Sequence, residues 1–187
     1  MADLNTVYQE TTERMQKTVD ALKREFARIR TGRASPSLLD GITVDYYGSP
    51  MPINQVGTIS IPDARLLTIQ PWEKTMLGPI EKAIQAADLG LNPQNDGNLI
   101  RVPIPPLSEE RRKELYKGCK KTSEDSKVAV RNIRRDSNEK LKKAEKDKEM
   151  TQDEQKKGMD RIQKLTDEFV NSIDELLAHK EKEIMEV

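Results

Sequence analysis

The residues of this sequence best suited to a binding chemistry are cations clustered in the run RNIRR. Arg131, Arg134 and Arg135 each present a planar fork of N–H donors, which matches the oxygens of a phosphate group. On a helix they would share one side with three further polar residues, Lys127, Asn138 and Lys142. This spacing predicts a helix face that contacts the phosphate backbone of a nucleic acid.

The distribution of charge agrees with a basic surface on a neutral protein. The formal net charge is zero, but residues 111–148 carry 15 Lys or Arg against 7 Asp or Glu, whereas residues 149–187 carry 6 against 11. Such a segment attracts phosphate through Coulomb forces and counterion release. The alternative is an ordinary solvated helix face, with the cations paired to Glu124, Asp136 or Glu139.

Other residue types that often carry chemistry are too isolated to form a site. His179 is the only histidine and Cys119 the only cysteine, so neither has the companions that a zinc site or a catalytic pair requires. We expect His179 to favour a helix C-terminus and Cys119 to be a buried thiol. With no glycine-rich phosphate loop, metal cluster or triad, the sequence predicts a protein that is not an enzyme and needs no metal or cofactor.

The aromatic residues are few, at 4% of the chain. We expect Trp72 to pack in a core. Tyr46 and Tyr47 occupy adjacent positions of a predicted strand and should therefore point to opposite faces, which leaves one of them able to contact a partner.

Three segments show apolar residues at steps of three and four, which is typical of amphipathic helices. The first covers residues 3–30 and should end at a cap provided by Gly32. The second begins after Ser108, a predicted N-cap, and contains Gly118, which interrupts its pattern. The third begins at the capping box Thr151–Glu154. Helices of this length are unstable alone, so the three rows predict an up-down-up antiparallel bundle.

The segment between the first two helices has a different character, with short β-branched runs and most of the glycines and prolines. Strands are predicted over 42–47, 55–61, 66–72 and 99–104. One helix should lie between the last two, with Thr75 as its N-cap and Gly90 at its end. The predicted class is therefore α+β, with a discontinuous bundle of residues 1–30 and 106–187 and an inserted small domain of residues 31–105. The linker composition predicts hinges near 30–34 and 102–107.

The composition also bears on where the chain acts. No apolar run reaches the roughly 20 residues of a membrane helix, and the first ten residues lack the features of a signal peptide. A single cysteine fits a reducing compartment. These features predict a cytoplasmic protein with no membrane partner.

Four segments of the sequence resemble the bacterial ribosome recycling factor family. They are IRTGRASPSLLDGI (29–42), DLGLNP (88–93), NLIRVPIPPLSEERRKEL (98–115) and AVRNIRRDSN (129–138). The resemblance spans both predicted domains. It implies an L-shaped, tRNA-like molecule in which a three-helix bundle carries a hinged β/α/β domain. It further implies a monomer that binds the large-subunit RNA of the post-termination ribosome and, with elongation factor G and its GTP hydrolysis, promotes subunit dissociation and release of mRNA and tRNA.

The resemblance also implies roles for particular residues. The family's ribosomal RNA contacts fall on Arg112, Arg131 and Arg134, with Arg135 and Lys127 beside them. The helical angle of Arg112 points nearer to the bundle than to this face, so Arg112 could equally be a structural cation close to the hinge. The family hinge falls on Arg30, Thr31, Gly32, Arg33, Val102, Pro103, Pro105 and Pro106. Two other classes stay open from the residues alone: a helical scaffold that binds client proteins, and an enzyme whose pocket lies in the small domain.

Overall fold

The computed structural model describes residues 3–186, which form two compact units. Unit one comprises residues 3–29 and 113–185, and unit two comprises residues 30–112 together with Glu186. Unit one is helical, and unit two combines short antiparallel strands with one helix. The predicted α+β class, with a helical bundle interrupted by a small sheet domain, is confirmed.

Unit one is built from three long helices, α1 (Leu4–Arg28), α3 (Glu109–Lys146) and α4 (Gln152–Met185). Their directions follow from the side chains that join them. As residue numbers rise along α1, the numbers of their partners on α3 fall, so these two helices are antiparallel. The same holds for α3 and α4. The pairs that join the helices are Glu10–Lys140, Arg14–Asp136, Arg134–Gln163 and Lys127–Asp174. The bundle is therefore up-down-up, as the three apolar rows predicted.

The core of the bundle consists of the rows read from the sequence. Its largest fully buried side chains come from all three helices, and they are Met15, Leu22, Leu141, Ile162, Ile173 and Ile184. Thr11, a polar residue in the buried row of α1, is also buried, and its hydroxyl lies 2.6 Å from that of Ser137 on α3. Each hydroxyl also lies within hydrogen-bond distance of a carbonyl one turn earlier in its own helix, so one hydroxyl can donate to the other while the second donates to its carbonyl, and both polar hydrogens are paired.

One glycine brings the helices unusually close. A Cβ added to Gly158 on α4 would lie 2.5 Å from Cδ1 of Leu4 and 2.9 Å from Cδ1 of Leu141. Gly118 on α3 is the opposite case, because a Cβ there would meet nothing within 4 Å. Packing therefore requires the glycine at 158 and not the one at 118.

Two of the predicted helix starts are confirmed by their hydrogen bonds. The backbone N–H of Thr151 donates to Glu154 at 2.7 Å, and the N–H of Glu154 donates to the Thr151 hydroxyl at 3.2 Å, which completes the capping box. The Ser108 hydroxyl accepts from the N–H of Arg111 at 3.2 Å. These side chains satisfy donors that a helix N-terminus leaves free.

The prediction for the end of the first helix was wrong. The helix stops at Arg28, and Ile29 is already extended, with ψ 125°. Gly32 has φ +77° but lies beyond that end, where its Cα faces Leu107. Its missing side chain serves a close approach between two connecting segments rather than a helix cap.

Unit two contains two antiparallel sheets. Strands β1 (Thr43–Tyr46) and β2 (Ser49–Pro52) form a hairpin. Strands β3 (Gly57–Asp63), β4 (Leu66–Pro71), β5 (Gln94–Asn95) and β6 (Ile100–Pro103) form a sheet in the order β3-β4-β6-β5. The four predicted strands correspond to β1, β3, β4 and β6, whereas β2 and β5 were not predicted.

Helix α2 (Leu77–Ala86) covers this sheet with Leu77, Ile80 and Ile84. Both of its predicted caps were wrong. Thr75 lies inside a short 3-10 turn that precedes the helix, and the N-cap residue is Met76, which makes no side-chain bond. At the other end the helix stops at Ala86 with Ala87 as its C-cap, so Gly90, although its φ is +69°, lies beyond the cap, and Asp88 with φ +49° is the first left-handed residue after the helix.

Both segments that lead into and out of unit two attach to the turn between β3 and β4. The N–H of Ala34 donates to the carbonyl of Ala64 at 2.7 Å, and the N–H of Ile104 donates to that of Arg65 at 2.8 Å. Val102 and Pro103, two of the expected hinge residues, belong to β6 and pair with β4. They are therefore fixed within the sheet, and Pro105 and Pro106 are the first residues after it that are both exposed and irregular.

Candidate nucleic-acid interface

Helix α3 positions the predicted cations because its opposite side is held in the bundle. Val130, Ile133, Ser137 and Leu141 are buried along the inner side of the helix. The arginines alternate with them at helical spacing and point away from the core. The helix has 38 residues and no cap or proline in this stretch, so the cations stand on a rigid rod.

The three arginines differ in what they contact. Arg131 is exposed and makes no hydrogen bond or ion pair with any residue between 3 and 186. Arg135 is also exposed and donates only a long bond, 3.3 Å, to Asn132 on its own helix. Arg134 is half-buried and donates to Oε1 of Gln163 on α4 at 3.0 Å, which fixes its guanidinium at the edge of the helix pair. Arg131 and Arg135 thus keep nearly all of their donors available.

Lys127 was predicted to lie on the same helix face as the arginines, but it has a different role. Its side chain is only 12% exposed, and its ammonium pairs with Asp174 on α4 and with Glu124 at 3.1 Å. The hydrogen bond to Asp174 is the main cause that raises the pKa of Lys127 above its ordinary value. This lysine joins two helices, and its charge is already neutralised before any ligand arrives.

The acidic residues near the arginines are also neutralised, but by other cations. Asp136 accepts from Arg14 of α1 at 2.8 Å, and Glu139 accepts from Lys142 at 2.8 Å. The pairs within one helix that this alternative expects are present for Lys127 and Lys142, whereas Arg131 and Arg135 make no ion pair among residues 3–186.

Arg112 lies far from this group. It is half-buried in the first turn of α3, and its backbone N–H donates to the carbonyl of Ser108 at 3.0 Å. The 19 residues that separate it from Arg131 correspond to about 28 Å along a helix. Arg112 also belongs to unit two. The structure thus brings Arg131, Arg134 and Arg135 together and leaves Arg112 apart from them.

The remaining predictions about single residues are mixed. Cys119 is fully buried, and burial raises the pKa of its thiol, as a structural cysteine requires. His179 is exposed, with Nδ1 at 3.3 Å from Glu183. The prediction for Trp72 was wrong, because its side chain is 67% exposed; Tyr47 is 76% exposed and Tyr46 is half-buried.

Two further findings concern metal binding and membrane insertion. Within residues 3–186 no three His, Cys, Asp or Glu side chains are grouped so that they could hold a metal ion. No helix in the same range combines the length and the apolar character that crossing a membrane would demand.

Comparison with known proteins identifies the class to which this fold and this basic helix belong. The family model described as ribosome recycling factor matches residues 22–185. A ribosome-recycling factor of Bacillus licheniformis is 62% identical over 181 residues, which cover 97% of this chain and 98% of the relative. That of Oleidesulfovibrio alaskensis is 60% identical over 184 residues, covering 98% and 100%.

Solved structures agree with the sequence relatives. A solution structure of the ribosome recycling factor is 44% identical, with a TM-score of 0.77 over the whole of both chains. A second structure, 46% identical with a TM-score of 0.65, covers 98% of this chain and 99% of the other. It is described as models for the T. thermophilus ribosome recycling factor and the E. coli elongation factor G bound to the E. coli post-termination complex. This chain belongs to the ribosome recycling factor family.

Proposed function

We propose that this protein binds the post-termination ribosome and acts together with elongation factor G. In our proposal, GTP hydrolysis by that factor drives dissociation into subunits, and mRNA and tRNA are then released. Membership of the ribosome recycling factor family supports this assignment, as does a relative described in complex with elongation factor G and the post-termination complex. The protein would act as a monomer in the cytoplasm, where translation takes place, and the GTPase would supply the only catalytic step.

The RNA-binding surface of this proposal is the face of α3 that carries Arg131, Arg134 and Arg135. The observation that supports it best is the uncompensated charge of Arg131 and Arg135 on a rigid helix whose neighbouring carboxylates are already paired. Phosphate oxygens of ribosomal RNA are the natural acceptors for such guanidinium groups. Arg112 would form a separate contact about five helical turns away, and Lys127 would support the surface by joining α3 to α4.

The test is subunit splitting of post-termination ribosomes with elongation factor G and GTP. The variant Arg131→Ala/Arg134→Ala should lose splitting and bind ribosomes with a shallower dependence on salt. Lys140→Ala/Lys142→Ala is the matched control, because it removes two cations from the same helix that are already paired with Glu10 and Glu139.

Circular dichroism must show that both variants remain helical. Equal splitting by the arginine variant, the lysine variant and the parent protein would reduce the arginine face to a solvated surface. If the parent protein itself fails to split ribosomes, the recycling function is wrong for this chain.

A hinge between the units is the second part of the proposal. It would lie in the short segments around residues 29–33 and 105–108, because Val102 and Pro103 are fixed in β6. Residual dipolar couplings measured by NMR test this directly. Separate alignment tensors for units one and two in solution would support a hinge, and one common tensor for all amides would contradict it.

A further inference from the structure

Arg134 is held by a neighbouring helix, unlike the other two arginines of the RNIRR run. Its Nη1 donates to Oε1 of Gln163 at 3.0 Å, and this bond crosses from α3 to α4. Arg135 bonds only within its own helix, at 3.3 Å, and Arg131 has no such bond among residues 3–186. A long side chain that is ordered before its ligand arrives loses less conformational entropy on binding. Arg134 is therefore the pre-oriented member of the three.

Gln163 is in turn oriented by Asp167. The Nε2 group of Gln163 donates to Oδ1 of Asp167 at 2.9 Å, and the two residues lie one turn apart on α4. A glutamine amide has a donor end and an acceptor end, whereas an ionised carboxylate only accepts. Because Asp167 takes the nitrogen, the oxygen of Gln163 is directed at Arg134, whose guanidinium only donates. The three side chains form one ordered chain of hydrogen bonds.

The same two helices anchor two cations with different chemistry. The ammonium of Lys127 is held by the carboxylate of Asp174, which cancels its charge. The guanidinium of Arg134 is held by the neutral amide of Gln163, and within residues 3–186 the Asp167 carboxylate makes no ion pair with it. Arg134 is therefore fixed in direction and still charged. Both properties favour a phosphate contact, because strong bonds to phosphate oxygens need a charged and well-directed donor.

Stability of the bundle alone does not account for Gln163. Its side chain is exposed, so its bond to Arg134 is not needed to satisfy a buried polar group. A glutamine and an aspartate one turn apart support a helix by themselves, and α1 has such a pair, in which Gln16 donates to Asp20 at 2.9 Å. Within residues 3–186, Gln16 makes no bond to another helix. The contact with an arginine is thus what distinguishes Gln163.

We propose that Gln163 is a positioning residue of the RNA-binding surface. Oriented by Asp167, its amide fixes the guanidinium of Arg134 toward a phosphate of the RNA and leaves the positive charge intact. This proposal rests on the proposed function, because the phosphate belongs to ribosomal RNA. The working surface then includes a residue of α4 as well as the arginines of α3.

Two substitutions of Gln163 separate the direction of Arg134 from its charge when ribosome binding is measured over a salt series. Gln163→Met keeps the size of the side chain but removes both bonds. It should weaken binding about two- to tenfold and leave the slope of log affinity against log salt unchanged, because Arg134 remains charged. Gln163→Glu keeps an acceptor for Arg134 but adds a carboxylate that neutralises it. The slope should then fall by about 0.7–0.9, as for the loss of one phosphate contact.

Thermal unfolding excludes a folding defect. Gln163→Glu forms an ion pair with Arg134, so its Tm should be no lower than that of the parent while its binding is weaker. Gln16→Met and Gln16→Glu are the matched controls, because they alter the same local pair on α1 without an arginine. Both should retain the affinity and the salt slope of the parent.

A double-mutant cycle tests whether Gln163 acts through Arg134. In an Arg134→Met background, Gln163→Met should have no further effect on binding. A full additional loss would show that Gln163 acts independently of Arg134, and equal slopes for Gln163→Glu and the parent would show that the neutral amide is not needed; either result overturns the positioning role. If both Gln163 variants match the parent while Arg131→Ala/Arg134→Ala is defective, the proposal fails and the recycling function stands. A parent protein that neither binds nor splits ribosomes would overturn both.

Discussion

Replacing Lys127 and Arg131 separately by methionine should show that Lys127 stabilises the bundle and that Arg131 binds RNA. Methionine keeps most of the apolar stem in each case, so the comparison isolates the charge. The Lys127 side chain is 12% exposed and its partner Asp174 is 51% exposed. Loss of this pair should therefore cost more than an exposed ion pair and less than a fully buried one, roughly 1–2 kcal/mol.

The two variants should respond oppositely in two assays. In thermal unfolding followed by circular dichroism, Lys127→Met should lower Tm by about 2–8 °C for a protein of this size, and Arg131→Met should leave it nearly unchanged. In ribosome binding over a salt series, loss of one phosphate contact should reduce the slope of log affinity against log salt by about 0.7–0.9. Between 50 and 200 mM salt, that change corresponds to about a threefold difference in affinity.

The reverse pattern would contradict these roles of Lys127 and Arg131. A Lys127→Met variant of normal Tm with a reduced salt slope would make Lys127 an RNA contact whose pairing with Asp174 contributes nothing. An Arg131→Met variant with an unchanged salt slope would show that Arg131, the residue on which the proposed surface most depends, makes no phosphate contact.

Three further results are expected from single substitutions in the bundle. Gly118→Ala should stabilise unit one by about 1 kcal/mol through helix propensity, and urea unfolding followed at the helical dichroism band checks it; no gain would mean that the glycine serves an unseen purpose. Gly158→Ala gains the same propensity but presses on the buried Leu141, so it should end about 1–3 kcal/mol less stable than Gly118→Ala, and equal stability would show that the leucine moves aside freely. The bonds from Thr151 lower the pKa of Glu154, so its carboxylate stabilises the fold at neutral pH, and this contribution is lost as pH falls from about 4.3 through the lower folded value. The stability difference between the parent and Glu154→Gln should therefore shrink below pH 4 in acid unfolding, and a difference that is constant with pH would contradict the capping role.

The long helices could be predicted from the sequence because their apolar residues recur over many turns. The buried row of α1 includes Thr11, a polar residue that keeps the same helical spacing. The helix ends were less predictable, because Gly32 is typical of a cap while the chain in fact turns into an extended conformation at Ile29. The glycine alone therefore predicts a helix cap, whereas in the structure its conformation serves the tertiary contact with Leu107.

The missed strands have physical reasons. Pro50 and Pro52 argue against a strand, but β2 belongs to a two-stranded hairpin, where a proline without an N–H is tolerated at an edge. Strand β5 has only two residues, which is too short for an alternating pattern.

The arginine run could be found from the sequence alone, since helical spacing places it on one side. The role of Lys127 could not, because Asp174 is 47 residues away and the pair exists only once α3 and α4 are packed. The exposed position of Trp72 was likewise hidden, because tryptophan is usually buried and its anchors, Thr58 and Val56, come from a neighbouring strand and turn. Pairing across elements is the information that a periodic pattern lacks.

The bond between Thr11 and Ser137 joins residues 126 positions apart, and this separation affects how the chain folds during synthesis. At 5–20 residues per second, about 6–25 s pass between the addition of the two residues. The core of unit two comes from one continuous segment and can form in that interval, whereas the apolar row of α1 stays exposed until α3 and α4 are made, because packing against those helices stabilises it. The nascent first helix is therefore the stretch most exposed to aggregation and most in need of a chaperone until the rest of the bundle emerges.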